Sequence, residues 1–554
     1  MISNSMTPPI RSPEETPRTL TGGEAVVDQL LRHGIRTVFA LPGVQNDALF
    51  NALYDRREEL RVVHTRHEQG AGYLALGAAL ASGRPAVCNI VPGPGVLNAG
   101  AALATAYALN APVLFVCGQI PLAQIGRRTG ALHEIPDQLA ILRQLTRFAA
   151  RVEHPADVPA VLRTAMRALT AGRPGPAAVE IPMDVLAQAA PVITSAPQSG
   201  EPPHARGPAL DEEALGKLAQ ALAGAQNPVL FVGSGAQGVA EEVRTLAELL
   251  EAPVVSYRTG RGVMDSRSHL SFVLPAARPL WRRSDVVLAL GTTLRIPLQS
   301  WERVPGQKIL RVDIDPASHA LIRKPDLALH ARLEDSLPRL IELVREHQPA
   351  RPSRRDELMA LRGEWERRVS VLEPQISYLK VIRQCLGEQG VLVDELTQVG
   401  FASRLVYPVY RPRTFLCTGY MGTLGWGFPT ALGAKVARPD RPVVSITGDG
   451  GFMFAAAELA TAVQHGIALV TVLFNNNQYG NVQQMQRSLY GGRVIASDLV
   501  NPDFVRFAQS FGARGVQVGS PRELAAALAA ALAASGPTLI EVPVGDMPSA
   551  DQFR

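Results

Sequence analysis

The sequence predicts an α/β protein of three doubly wound parallel-sheet domains, the first and third related to each other. Three observations carry that prediction. Short apolar runs bounded by Gly and Pro alternate along the chain with Ala/Leu-rich stretches of helical length, as expected of strands covered by helices on both faces. Two segments rich in Pro with Ser, Gly or Arg, Thr194–Gly207 and His347–Arg355, interrupt the alternation and read as linkers. A block of residues near the start recurs near the end at almost unchanged spacing.

In chain order, strands are expected at Ala86–Val91, Pro112–Val116, Val229–Val232, Val286–Leu290, Val443–Ile446 and Leu469–Phe474. Each is too short and too uniformly apolar for an amphipathic helix. At roughly 150 residues per domain, the 554 residues allow three or four domains. The linkers select three: 18–193, 208–346 and 356–547.

The repeat runs as follows. Ala75-Leu-Gly-Ala78 precedes Arg84-Pro85, a strand, the turn Pro92-Gly-Pro-Gly95, Leu103-Ala-Thr-Ala106 and a second strand. Ala431-Leu-Gly-Ala434 precedes Arg441-Pro442, a strand, Gly448-Asp-Gly450, Leu459-Ala-Thr-Ala462 and a second strand. A duplicated module of this kind can pack copy against copy, with a ligand at the joint.

Composition excludes several classes. Hydrophobic residues at 46% against 19% charged rule out a disordered chain. No apolar stretch is long enough to span a bilayer, and the first twenty residues lack a signal-type apolar core, so a cytoplasmic protein without membrane partners is expected. Cys88, Cys117, Cys385 and Cys417 show no CxxC spacing and read as reduced core thiols. The net charge of +5 comes from Arg dispersed among acids, the nearest thing to a run being Arg351-Pro-Ser-Arg354-Arg355. A nucleic-acid footprint would be clustered, so none is expected.

The chemistry concentrates in the second copy of the repeat. Strand Val443–Ile446 leads into Gly448-Asp449-Gly450-Gly451, with an Ala-rich helix expected from about Phe452, and the next strand leads into Asn475-Asn476-Asn477-Gln478-Tyr479-Gly480. Both clusters fall at the carboxyl ends of parallel strands, where open α/β sheets bind ligands. Glycines let backbone N–H groups approach a phosphate, and Asp and Asn oxygens suit Mg²⁺. Alone, Gly-Asp-Gly makes a turn and an Asn run caps a helix. Together, at this spacing, they resemble the signature of thiamine-diphosphate-dependent enzymes.

That resemblance, closest to the acetolactate synthase, oxalyl-CoA decarboxylase and benzaldehyde lyase group, covers nearly the whole chain. It implies that Gly448, Asp449 and Gly450 hold the diphosphate, with Asp449, the Asn476 side chain and the Gln478 carbonyl as Mg²⁺ ligands. Arg66-His67-Glu68-Gln69-Gly70 resembles the helix start carrying the family's catalytic glutamate, which makes Glu68 the carboxylate beside N1′ of the aminopyrimidine. Such a contact favours the imino tautomer, whose N4′ removes the C2 proton. Gly419-Tyr420-Met421-Gly422-Thr423-Leu424-Gly425 resembles the loop under the bent cofactor. Gly422 would supply the carbonyl for the 4′-amino group, and Met421 or Leu424 the apolar wedge, with Leu424 preferred. In that group the glutamate reaches the cofactor of the other subunit, which implies a homodimer or homotetramer.

Substrate positions depart from the family pattern. Gly118-Gln119 is followed by Ala131-Leu132-His133-Glu134, so His133 aligns with a Gln of acetolactate synthases or a Tyr of oxalyl-CoA decarboxylases. An imidazole there could shuttle a proton. Gln45 stands near the pocket His of benzaldehyde lyases, and Gln119 matches a pocket Gln of acetolactate synthases. Asn481 and Met485 fall where the acceptor pocket is shaped. The middle unit carries Gly233-Ser-Gly235-Ala-Gln-Gly238 without an acidic partner at dinucleotide spacing. Gly291-Thr-Thr-Leu-Arg295-Ile-Pro replaces the Arg-Phe-Asp-Asp-Arg segment with which acetolactate synthases hold FAD, so FAD is not expected. The leading function is acetolactate-synthase-like decarboxylation and carboligation. The alternatives are a 2-hydroxyacyl-CoA or acyloin lyase and, from another class, a non-catalytic regulatory paralogue, against which the intact Glu68 argues.

Overall fold

The computed structural model describes residues 17–194, 207–347 and 351–553. Most of the linker Thr194–Gly207, part of His347–Arg355 and most of the Pro-rich amino terminus lie outside the described residues. All six expected strands are present, at Ala86–Ile90, Val113–Gln119, Pro228–Val232, Val286–Leu290, Val443–Gly448 and Val470–Asn475. Every residue of the first four is buried, which is why they carry no polar alternation.

The strands assemble into three six-stranded sheets, each parallel throughout. Counted along the chain within each sheet, the first and third share the order 2-1-3-4-6-5, so the sequence repeat is also a topological repeat. The middle sheet runs 3-2-1-4-5-6, the doubly wound dinucleotide-type order. A short antiparallel pair, Arg18–Thr21 with Ala189–Val192, closes the first domain.

One apolar core passes through the first and third domains, joining Tyr73, Leu76 and Phe115 to Trp426, Phe428 and Phe452. Its centre is the contact between helices α1 (Glu68–Ser82) and α2 (Gly427–Ala437). A Cβ on Gly77 would lie 1.9 Å from the Thr430 carbonyl oxygen, and one on Gly433 would lie 1.8 Å from that of Leu74. Gly77 and Gly433 are equivalent in the repeat, as are Leu74 and Thr430. The two copies therefore meet about a pseudo-twofold axis, each helix admitting the other's backbone through the same glycine.

The Ala-rich helix expected from Phe452 is instead two short ones, α3 (Asp449–Met453) and α4 (Glu458–Gln464). The break turns the Glu458 carboxylate toward backbone N–H groups of the first domain. The arginine run is tied to its own chain, Arg351 to the carbonyls of Leu222 and Ala223 and Arg354 to Glu357. The four cysteines are free, Cys385 half-buried and the rest buried.

Candidate active site

At the carboxyl edge of the third sheet a cavity of about 270 Å³ is lined by Gly422, Leu424, Gly448, Asp449, Gly450, Asn476 and Gln478. These residues come from three separate loops, and the strand ends bring them to one place. Leu424 lines the cavity, whereas Met421 does not and is exposed.

Asp449 is the first residue of α3 and is buried. Burial pushes its carboxyl above the ordinary value, while the Asn501 amide and backbone N–H groups of Gly450 and Asn476 pull the other way. The Asn501 nitrogen donates to Asp449 Oδ2 at 2.7 Å and to the side-chain oxygens of Asn475 and Asn477 at 3.1 Å. One donor thus stands among three oxygen acceptors. The asparagine loop is pinned by Tyr479 N to Ser497 O and Leu499 N to Asn477 O, both at 2.8 Å, and Asn477 takes a left-handed φ of 54°. The Gln478 side chain donates to Asp546 at 2.5 Å.

Glycine is required at two of these positions for different reasons. A Cβ on Gly450 would come within 2.6 Å of the Tyr479 ring, whereas one on Gly422 would meet Leu396 at an unstrained 3.9 Å but at a φ of 65°. Among the described residues no group of three or more His, Cys, Asp and Glu could hold a metal. The donor set at Asp449 is instead one carboxylate with amide and carbonyl oxygens. It fits a hard cation that completes its shell with phosphate oxygens and water.

A second cluster lies at the carboxyl edge of the first sheet. His67 caps α1 by accepting from Gln69 N, and Glu68 follows, buried, with Asn98 donating to its Oε2 at 3.0 Å. Val91 lies against both Gly43 and Gly95, and a Cβ on Gly95 would also approach Glu68 Oε1 to 3.3 Å. Gln45, two residues beyond Gly43, donates through Nε2 to the Leu132 carbonyl at 3.1 Å and turns Oε1 to His133 Nδ1 at 3.0 Å. An amide oxygen can only accept, so Nδ1–H is the donor of this pair and Nε2 is the ring nitrogen left outside it. His133 holds a φ of 69°, and its carbonyl oxygen occupies the space a Cβ on Gly93 would need, 2.2 Å away.

Gln119 ends its strand on the same edge but does not join that pair. Its Nε2 donates to Glu180 Oε2 at 3.3 Å and its Oε1 accepts from Ile120 N, inside a buried network with Gln138 and Arg151. On α5 (Gly480–Leu489), Asn481 lines the Asp449 cavity, whereas Met485 is exposed and does not. Glu68, Gln45 and His133 are not among the residues lining it either. Sequence reasoning missed Asn98, Asn501 and Glu458, because each acts through a partner distant in the chain. The turn Asn501-Pro502-Asp503 was the one local signal.

A larger cavity, about 650 Å³, opens beside Gly233, Gly235 and Gly238 of the middle domain, reached by Arg173 of the first domain and by Arg413 and Tyr420 of the third. Arg258 follows the second strand of that sheet, where a dinucleotide fold places an acid.

Comparison with known proteins bears on all three domains. The N-terminal TPP binding domain of thiamine pyrophosphate enzymes matches residues 20–141, the central domain 215–340 and the C-terminal TPP binding domain 396–542. The chain is 34% identical to a "Probable 2-ketoarginine decarboxylase" of Pseudomonas aeruginosa, over 96% of this chain and 95% of that protein. It is 30% identical to the acetolactate synthase isozyme 1 large subunit of Escherichia coli, over 95% and 94%. It is 32% identical to a "Probable acetolactate synthase large subunit" of Methanocaldococcus jannaschii, over 94% and 92%.

Proposed function

The chain belongs to the thiamine pyrophosphate enzyme family, and from that premise we propose that it uses thiamine diphosphate and Mg²⁺ to break the C–C bond between the carbonyl and the carboxylate of a 2-oxo acid, with loss of CO₂, the carbanion left behind being joined to a second carbonyl or protonated. The supporting observation is the convergence of Gly422, Leu424, Gly448, Asp449, Gly450, Asn476 and Gln478 on one cavity.

Bound thiamine diphosphate supplies the carbon nucleophile and electron sink that the side chains lack. The protein's part is positional. Asp449, the Asn476 side chain and the Gln478 carbonyl hold the metal, and Asn501 orients the Asp449 carboxylate from behind. Gly448 and Gly450 let the backbone close on the diphosphate. Gly422 offers its carbonyl to the 4′-amino group and Leu424 supports the bend. Glu68 faces N1′ of the pyrimidine, with Asn98 fixing one of its oxygens. His133 Nε2, aimed by Gln45, exchanges a proton with substrate. Gln119 contributes from the wall of the same edge, through the network of Glu180.

Glu68 lies outside the cavity of its own chain, which supports a homodimer or homotetramer in which it completes the site of a second copy. Exposed apolar residues flank both clusters: Val44, Leu97 and Leu132 next to Gln45, Asn98 and His133, and Met421, Phe454 and Met485 around the other half. The three units are taken as 18–193, 208–346 and 356–547, each with its own sheet. Among the described residues no helix is long and apolar enough to cross a membrane.

Acetolactate-synthase-like carboligation is the first reading. Simple decarboxylation is the second, favoured by the 2-ketoarginine decarboxylase relative and by the His133–Gln45 pair where acetolactate synthases carry a Gln. Purified protein with thiamine diphosphate and Mg²⁺ is assayed for CO₂ release and coupled products on pyruvate, a guanidino 2-oxo acid, benzoin and a 2-hydroxyacyl-CoA. CO₂ from a 2-oxo acid, lost in Glu68→Gln, is expected. Silence on both 2-oxo acids, or full activity of Glu68→Gln, contradicts the proposal.

A further inference from the structure

We infer that Glu458, on the third domain, is a positioning residue for Glu68, on the first. The inference rests on the role proposed above for Glu68. Glu458 opens α4 and is 1% exposed. Its Oε1 accepts from the backbone N–H groups of Arg66 at 3.2 Å and His67 at 3.1 Å, and its Oε2 lies 3.2 Å from Arg66 N and takes the Thr461 hydroxyl at 2.6 Å.

Those two N–H groups immediately precede Glu68, at the start of α1. A helix start ordinarily finds its acceptors in its own N-cap region. Here a buried carboxylate from another domain serves the two residues before the helix, while His67 Nδ1 serves Gln69 N. Gly70 makes room for this, since a Cβ there would come within 2.1 Å of Glu458 Oε1.

Further contacts extend the hold along the same turn. Arg61 Nη2 donates to the His465 carbonyl at 3.0 Å, the His465 ring nitrogen lies 3.2 Å from His64 N, and Arg66 Nη2 reaches Gln464 Oε1 at 3.0 Å. The segment from strand Arg61–His64 to α1 is therefore clamped onto α4 and the residue after it. A carboxylate that must meet one ring nitrogen needs its backbone fixed to a fraction of an ångström. The clamp provides that fixation from the stretch of chain that begins with Asp449.

The test uses full-length protein and three variants beside Glu68→Gln. Glu458→Ala is expected to lower kcat about a hundredfold, as an ångström-scale displacement does, with KM and thiamine diphosphate affinity little changed. Amide hydrogen exchange at Arg66 and His67 should accelerate in parallel. Glu458→Gln keeps one oxygen for both N–H groups and should recover most of the loss. Gly70→Ala displaces the carboxylate without removing it and should reproduce the fall in kcat, which keeps the inference testable if Glu458→Ala does not fold. Unchanged kcat in Glu458→Ala or Gly70→Ala, unchanged exchange, or a loss confined to KM would overturn it. Full activity in Glu68→Gln, with exchange still faster in Glu458→Ala, would refute the role of Glu68 and leave the clamp standing.

Discussion

Replacing Gly77 by Ala tests the joint between the two repeat copies. The new Cβ would stand 1.9 Å from the Thr430 oxygen, where ordinary contact begins at 3.4 Å, so α1 and α2 must move apart by 1.5 Å at this point. The obstacle is backbone, which cannot rotate aside. Alanine favours the helix by about 1 kcal/mol, and overpacking of this kind costs about 1–3 kcal/mol or more. In a core shared by two domains the clash wins, and we expect a net loss of about 1–2 kcal/mol and a lower midpoint for the first thermal transition by scanning calorimetry. Glu68 lies nine residues along the same helix, about 13 Å away, so turnover should fall with stability. Gly433→Ala, the symmetry mate, should behave alike. Gly216→Ala and Gly363→Ala, helical positions with nothing within 4 Å of the added carbon, should instead stabilise by about 0.5–1 kcal/mol. A Gly77→Ala protein as stable as the parent would refute the close-packed joint.

Two further outcomes follow from buried polar groups. Burial pushes the Glu395 carboxyl up to about 8, opposed by N–H groups of Gly427, Leu396 and Gly425 and reinforced by the charge of Asp394. An unfolded chain ionises it near 4.5, so between those values the folded state holds a proton that the unfolded state has lost. Stability therefore falls as pH rises through that window and levels off above it, by about 5 kcal/mol in all. Glu395→Gln should flatten the curve and exceed the parent in melting temperature at about pH 9; parallel curves would contradict this. Gln45→Leu removes the acceptor that orients the His133 ring, so kcat should drop about tenfold. An unchanged kcat would separate the His133–Gln45 pair from proton transfer.

The sheets were legible because strands buried on both faces must be continuously apolar, as Val286–Leu290 and Pro228–Val232 are. The repeat was legible for a similar reason: Ala-Leu-Gly-Ala persists in both copies because each glycine faces the other helix's backbone. That Asp449, Asn476 and Gln478 line one cavity was legible because both polar clusters follow the carboxyl ends of adjacent parallel strands. The break between Met453 and Glu458 could not be read, since the partners that Glu458 meets beyond it, the Arg66 and His67 N–H groups, lie almost four hundred positions away in the chain. Gln119 was read as a pocket residue by its match to a pocket Gln of acetolactate synthases; that Glu180 and Ile120 take both ends of its amide is a network no local pattern encodes.

The central claim, a diphosphate anchored through a metal on Asp449, is tested most directly by calorimetric titration of thiamine diphosphate into the parent protein and into Asp449→Asn, each with Mg²⁺ and with chelator. The account predicts tight binding only for the parent with Mg²⁺, and a loss of at least about tenfold in affinity when either the carboxylate or the metal is removed. Equal affinity in all four titrations would contradict it.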